Sequence, residues 1–301
     1  MKIGFIGLGR MGFNIVLNLH SKKIPIVAYN RSPEPLKKIR KYGVETAFSI
    51  EELITKLPKQ KIIWLMVTAG KPVDAVIKEL LPYLKKNDII IDGGNSFYKD
   101  SIRRYKFLKN KKINFVDIGT SGGLRGARYG VCLTIGGDKK IFKKIESLCK
   151  AVSAKNGYAY VGNAGAGHFV KMVHNGIEYA LLQAYGDGFE LLHRGHYKLD
   201  LKKIAETWQN GSVIRSWLLE LAADAFKKYS KLSKIKGIIG GGKTGQWAVQ
   251  TAKEFKVPFE SIKLALKLRY KSRKKPTFAG KVIAALRNEF GGHEVVRKKH
   301  K

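Results

Sequence analysis

The feature that most constrains the fold of this chain lies at its start. A short apolar run at 2–7 ends in Gly7-Leu8-Gly9-Arg10-Met11-Gly12, and an amphipathic stretch at 11–20 follows. A G-x-G-x-x-G pattern alone is a weak signal. Placed where a strand ends and a helix opens, it acquires a physical meaning. Gly7 permits a tight turn, Gly9 lets backbone approach a ligand closely, and Gly12 lets the helix pack on the strand. The helix N-terminus then offers unpaired N–H groups and the positive end of its dipole to a phosphate. An ordinary glycine turn is the plainer alternative.

The pattern continues. Further strand candidates lie at 25–29, 62–67, 89–92, 114–118, 131–135 and 159–161, with helical stretches such as 73–84 between most of them. Ser49 and Glu52 have the spacing of a capping box. This alternation predicts an α/β fold, an N-terminal doubly wound Rossmann-type sheet, largely parallel. After Gly162 the texture changes. Residues 166–193 form one long helical pattern, and helices dominate to about residue 287, broken at Gly240-Gly241-Gly242. Pro258 is expected in the first turn of the next helix. The prediction is a dinucleotide-binding domain at 1–163, an all-helical C-terminal domain at 164–286, and a tail at 287–301.

The second strand ends in Ala28-Tyr29-Asn30-Arg31-Ser32. An NAD site usually carries an acid here for the ribose hydroxyls. This chain has Arg31, whose fork suits a 2′-phosphate, flanked by Asn30 and Ser32. That points to NADP, with NAD possible. A solvated surface arginine is the alternative.

Charge needs an account, because Lys and Arg outnumber Asp and Glu 58 to 23, for a net +35. Such a balance suits nucleic acid or a small polyanion. The lysines are scattered, and no aromatic-basic clusters stand out, so nucleic-acid binding is the less favoured reading. Only Arg297-Lys298-Lys299-His300-Lys301 reads as a basic tail. No apolar run reaches the roughly 18 residues of a membrane helix. Cys132 and Cys149 make no disulfide framework; they read as two small buried side chains and fit a reducing cytoplasm. His193 and His196 stand at i,i+3 without companion acids or thiols, so they read as surface histidines and no metal site is expected.

The chemistry lies in Lys171-Met172-Val173-His174-Asn175-Gly176-Ile177-Glu178-Tyr179. At about 100° per helical residue, Lys171, His174, Asn175 and Glu178 share one face. Phe169, Val170 and Met172 fall off it and are expected to face the core. A solvated helix face with chance polar pairs is the alternative.

These residues carry a resemblance. The chain resembles the 6-phosphogluconate dehydrogenase family, within the β-hydroxyacid dehydrogenases, from end to end. The carrying stretches are 7–12, Ile-Asp-Gly-Gly-Asn-Ser at 91–96, Gly-Thr-Ser-Gly-Gly at 119–123, the 171–179 run, and Arg-Asn-Glu-Phe-Gly-Gly-His at 287–293. At 301 residues it resembles the short form. The resemblance implies oxidative decarboxylation of 6-phosphogluconate to ribulose 5-phosphate, with Lys171 as general base and Glu178 as general acid. It implies that Asn95, Ser121, Gly122, Gly123, His174 and Asn175 hold the carboxylate and hydroxyls. Tyr179, Arg269, Arg287 and His293 would complete the substrate site, with Arg287 and His293 supplied by a neighbouring subunit of a homo-dimer or tetramer. The cofactor would meet Gly7, Leu8, Gly9, Arg10, Met11, Gly12, Asn30, Arg31, Ser32, Val67, Thr68, Ala69 and Asn95. The chain departs from the family at Gln246 and Ala248, where a cation and a threonine are usual. Lys243 is near in sequence. A β-hydroxyacid dehydrogenase acting on a smaller acid, or on gluconate, is the nearest rival.

Overall fold

The computed structural model describes residues 1–229 and 231–297. Of the basic tail, residues 298–301 lie outside the described part. Two compact units divide at a point inside a helix: Met1–Met172 and Val173–Lys301.

The first unit is built on eight strands: β1 (Ile3–Ile6), β2 (Ile26–Tyr29), β3 (Glu45–Ala47), β4 (Ile62–Leu65), β5 (Ile89–Asp92), β6 (Asn114–Ser121), β7 (Val131–Gly137) and β8 (Ser153–Gly162). Their spatial order is β3-β2-β1-β4-β5-β6-β7-β8. Only β6 and β7 pair antiparallel. The helices are α1 (Arg10–Ser21), α2 (Pro33–Arg40), α3 (Ile50–Thr55), α4 (Lys71–Leu80), α5 (Tyr98–Asn110), α6 (Gly123–Tyr129) and α7 (Lys139–Val152). The short β3 is a strand that the periodicity misses, because three residues carry too little alternation to register.

Alternate residues of each inner strand feed two separate cores. Trp64, Ile89 and Ile91 join the cluster under α1 and α7, while Ile63, Leu65 and Ile90 join the one under α3 and α4. A parallel sheet covered on both faces must read as continuous apolar runs, as these do. The order of connection reverses between β1 and β4, and a crevice opens at the carboxyl ends of strands at such a point. The turns after β1, β2, β4 and β5 all lie at that end of the sheet. Ser49 caps α3 by accepting from the Glu52 N–H at 3.0 Å, and Glu52 returns to the Phe48 N–H at 2.7 Å.

The long helix α8 (Ala166–Arg194) begins in the first unit and runs into the second. There it is joined by α9 (Leu201–Trp208), α10 (Trp217–Lys228), α11 (Lys243–Glu254), α12 (Glu260–Lys271) and α13 (Phe278–Gly291). Leu182 and Phe189 of α8 share a core with Leu219 and Phe226 of α10 and Ile283 and Leu286 of α13. Pro258 lies just before α12, whose N-cap is Phe259, and not in its first turn. Arg287 belongs to α13, so residues 287–291 are helix rather than tail.

Two expectations about burial need correction. Val170 is 36% exposed, because it faces away from the side of α8 that carries the buried Met172. Cys132 is exposed and Cys149 buried, and neither is in a disulfide. Burial pushes the Cys149 thiol up to about 12.

Candidate active site

The glycine turn has the geometry that a dinucleotide needs. Gly7 adopts φ +105°, and a Cβ there would come within 2.5 Å of the Met66 carbonyl. A Cβ on Gly12 would lie 2.0 Å from the Gly7 carbonyl, so only glycine lets α1 start this close to β1. At Gly9, the N-cap of α1, a Cβ would meet nothing within 4 Å. Open space over a helix N-terminus is what an approaching pyrophosphate requires. Leu8, Arg10 and Met11 complete the turn. Residues Val67, Thr68 and Ala69 follow β4 at the same end of the sheet.

Asn30 has partners within the turn itself. Its Oδ1 accepts the Leu8 N–H at 2.9 Å, and its Nδ2 donates to the Ser32 carbonyl and hydroxyl, each at 3.0 Å. It ties the end of β2 to the glycine turn. Arg31, exposed, is then the cation at the place where an NAD site carries an acid.

The second group of residues gathers where α8 begins. Asp117 on β6 is fully buried and caps this helix, accepting from the Gly165 N–H at 2.7 Å and the His168 N–H at 2.9 Å. A carboxylate at a helix N-terminus is favoured by both the unpaired N–H groups and the dipole. Thr134 on β7 donates to the Gly167 carbonyl at 2.9 Å. A Cβ on Gly119 would meet the Lys171 Cβ at 2.4 Å, so the glycine lets the lysine stem lie against β6. Lys171 is only 8% exposed. Along the same helix face, Asn175 is buried, Glu178 half-buried and His174 exposed. His174 Nδ1 lies 3.3 Å from Asn175 Oδ1. The loop Ser121-Gly122-Gly123 opens α6, with Gly122 at φ +122°.

The third group is in the helical unit. Arg269 is buried and stacks over the Tyr179 ring at 3.5 Å. Burial pulls the Arg269 pKa down, against the rings of Tyr179 and Tyr270 and the charge of Glu178. The Tyr179 hydroxyl reaches Thr244 Oγ1 at 3.2 Å. The Arg287 guanidinium lies beside the Gly240-Gly241 backbone of its own chain. Lys243 sits over the Trp247 ring at 5.5 Å. Gln246 is exposed, whereas Ala248 is buried. The His293 carbonyl accepts from Asn288 at 2.8 Å.

The sequence profile of the NAD binding domain of 6-phosphogluconate dehydrogenase matches residues 2–162, and that of the C-terminal domain of the same enzyme matches 167–301. The chain belongs to the 6-phosphogluconate dehydrogenase family. It is thus an oxidoreductase with a dinucleotide-binding domain. A Haloferax volcanii protein named as an NAD(+)-dependent, decarboxylating 6-phosphogluconate dehydrogenase is 44% identical over 300 residues, covering 99% of each chain. Bacillus subtilis YqeC, provisionally named for the same enzyme, is 45% identical over 298 residues, covering 99% of this chain and all of its own. The solved Plasmodium falciparum 6-phosphogluconate dehydrogenase superposes with a TM-score of 0.83 at 35% identity, over 91% of this chain and 62% of that one.

Sequence reasoning missed Asp117, Thr134 and His168. Their signal was present as polar residues inside otherwise apolar or small-residue runs, as in Phe115-Val116-Asp117-Ile118. Among the described residues no cluster of His, Cys, Asp or Glu could hold a metal, and no helix is long and apolar enough to cross a membrane. His193 stacks on Phe278 at 3.9 Å.

Proposed function

We propose that this protein oxidises and decarboxylates 6-phosphogluconate to ribulose 5-phosphate with NADP as acceptor, through Lys171 and Glu178. The observation that carries the reading is the buried Lys171 on the same helix face as His174, Asn175 and Glu178. A buried lysine is the residue type that burial can keep neutral, and so ready to act as a base. Lys171 takes the proton from the carbon 3 hydroxyl. A nicotinamide dinucleotide held by the Gly7–Gly12 turn and Arg31 would supply the acceptor for the hydride that leaves carbon 3. The resulting β-keto acid loses carbon dioxide as the Lys171 ammonium stabilises the developing enolate oxygen. Glu178 then protonates carbon 1. Asn95, Ser121, Gly122, Gly123, His174 and Asn175 orient the acid.

The phosphate falls to Tyr179, Arg269, Arg287 and, in place of the residues at 246 and 248, Lys243. Lys243 opens α11, whose N-terminus favours an anion. Arg287 and His293 act in a neighbouring subunit of a homo-dimer or a tetramer of dimers. The chain works in the cytoplasm.

NADP is preferred because Arg31 stands where the ribose hydroxyls of NAD would want an acceptor. A second reading, NAD use, is favoured by the Haloferax relative's name. The experiment is to follow reduced cofactor with 6-phosphogluconate and with gluconate, each with NADP and NAD, in wild type and in Arg31→Asp. The expectation is turnover of 6-phosphogluconate with NADP, and a shift of about tenfold or more toward NAD in the variant, or ~1.4 kcal/mol. Equal use of both cofactors by wild type would refute the NADP reading. A preference for gluconate would refute the substrate.

A further inference from the structure

The turn after β5, residues 92–96, is held from beneath at Asp92, Gly93, Gly94 and Ser96. Asp92 accepts from Arg104 at 3.3 Å and from the Ser96 hydroxyl at 2.8 Å, and its other oxygen accepts the Gly94 N–H at 3.2 Å. The Gly93 carbonyl accepts from Thr120 at 3.0 Å. The Gly94 carbonyl lies 3.1 Å from His168 Nε2. Of these five residues only Asn95 is exposed.

His168 differs from the other anchors because it stands on α8, one turn before Lys171. Its side chain is 1% exposed, and both ring nitrogens have partners. Nδ1 is 2.7 Å from Ser101 Oγ on α5. A carbonyl only accepts, so Nε2 carries a proton toward Gly94, and Nδ1 receives the Ser101 hydroxyl proton. Burying a polar ring costs stability unless both nitrogens are satisfied, and here they are. The backbone N–H of the same residue is fixed by Asp117. One residue is therefore held by β6, by α5 and by the turn that bears Asn95.

We propose that His168 is a positioning residue, whose ring, clasped between Ser101 and the Gly94 carbonyl, sets the place of Asn95 relative to the helix turn that carries Lys171. This rests on the reading of Asn95 and Lys171 as site residues given above. Reacting groups must be held to within fractions of an ångström, and a side chain locked by hydrogen bonds to rigid elements does so. The competing account is a core histidine that merely satisfies itself.

The two accounts separate in three variants: His168→Leu, His168→Gln and Ser101→Ala. Glutamine keeps an amide able to reach the Gly94 carbonyl, and leucine does not. Hydrogen exchange of the 92–97 segment is read beside kcat and both KM values. In His168→Leu we expect faster exchange in that segment and a kcat about 100-fold lower, a loss typical of a misplacement of about 1 Å. The KM for NADP, governed by the glycine turn and Arg31, should move by less than about threefold. His168→Gln should recover most of both, with Ser101→Ala between. Wild-type exchange and kcat in any folded variant that lacks the Gly94 contact would overturn the proposal. So would a glutamine variant as damaged as leucine, with kcat and both KM values moved alike. If His168→Leu does not fold, Ser101→Ala carries the decision, and wild-type exchange and kcat in that variant would overturn the proposal. Should wild type fail to turn over 6-phosphogluconate, the functional reading falls, while the exchange result still decides whether the ring holds the turn.

Discussion

In the 92–96 turn, buried side chains from α5, β6 and α8 reach the backbone or neighbouring polar groups, and one exposed asparagine is left on top. The 240–248 segment is held differently. Ile239 donates to Ser272 at 3.0 Å and Arg273 donates to the Gly241 carbonyl, but Gly241, Lys243 and Gln246 are exposed. The first segment is specified by a fully buried Arg104–Asp92 pair, and breaking such a pair by removing one partner costs roughly 3–5 kcal/mol. The second relies on surface cations, each of which can be exchanged at small cost to the fold. On α11 the side chain at 246 is exposed, so its identity is free to vary at small cost to the fold, whereas Ala248 is buried.

That contrast also explains what could be read from the sequence. The glycine turn, the strand alternation and the α8 face each follow a period or a φ requirement that one chain displays. Asp117 and His168 have no such period, since their partners lie 48 and 74 residues away, at Gly165 and Gly94. Asn30 is similar, because the backbone N–H that its Oδ1 accepts, on Leu8, lies 22 residues away. Gly119 stands in a stretch that carries the resemblance, but its part in making room for the Lys171 stem is not legible, because that stem is 52 residues further on (171 − 119).

The comparison can be broken at several points. Lys171→Met should have the largest effect, a loss of at least about 10²-fold in oxidation of the sugar acid, with NADP binding retained. Retention of most of the activity would show that the locked end of the site is only structural.

Gln246→Lys comes next. Added to an exposed position in the first turns of α11, it should lower the KM for 6-phosphogluconate by about tenfold, the worth of one charge-assisted hydrogen bond at the lower end. The KM for gluconate should not move. Adding Ala248→Thr should cost stability, because Ala248 is 2% exposed and the two added heavy atoms, one of them a hydroxyl, must be fitted among buried neighbours. Overpacking of this kind costs about 1–3 kcal/mol, read as a lower Tm. A double variant as stable as wild type would show that the surroundings of Ala248 can yield.

The smallest effect is expected at Asp74, which bonds Arg104 at 2.8 Å from a partly exposed position. Burial raises the pKa of its carboxyl, but hydrogen bonds from Arg104 and Arg103 outweigh it, and the net shift is downward. A depressed pKa contributes stability above the unfolded value near 3.9, and that stability is lost as pH falls through the folded value. Asp74→Asn should therefore lower Tm by a few degrees at most near about pH 6, and the gap should close below about pH 4. A gap that widened in acid would contradict the assignment.

The central claim is that one face of α8 holds two separate proton carriers, and Glu178→Gln tests it most directly. NADPH and ribulose 5-phosphate are measured in the same reaction with 6-phosphogluconate. The account predicts that reduced cofactor still forms while finished ketopentose falls behind it, because the base at Lys171 is intact and the acid for carbon 1 is gone. Equal and mild losses of both products, under about tenfold where acid–base catalysis gives 10²–10⁴, would contradict it.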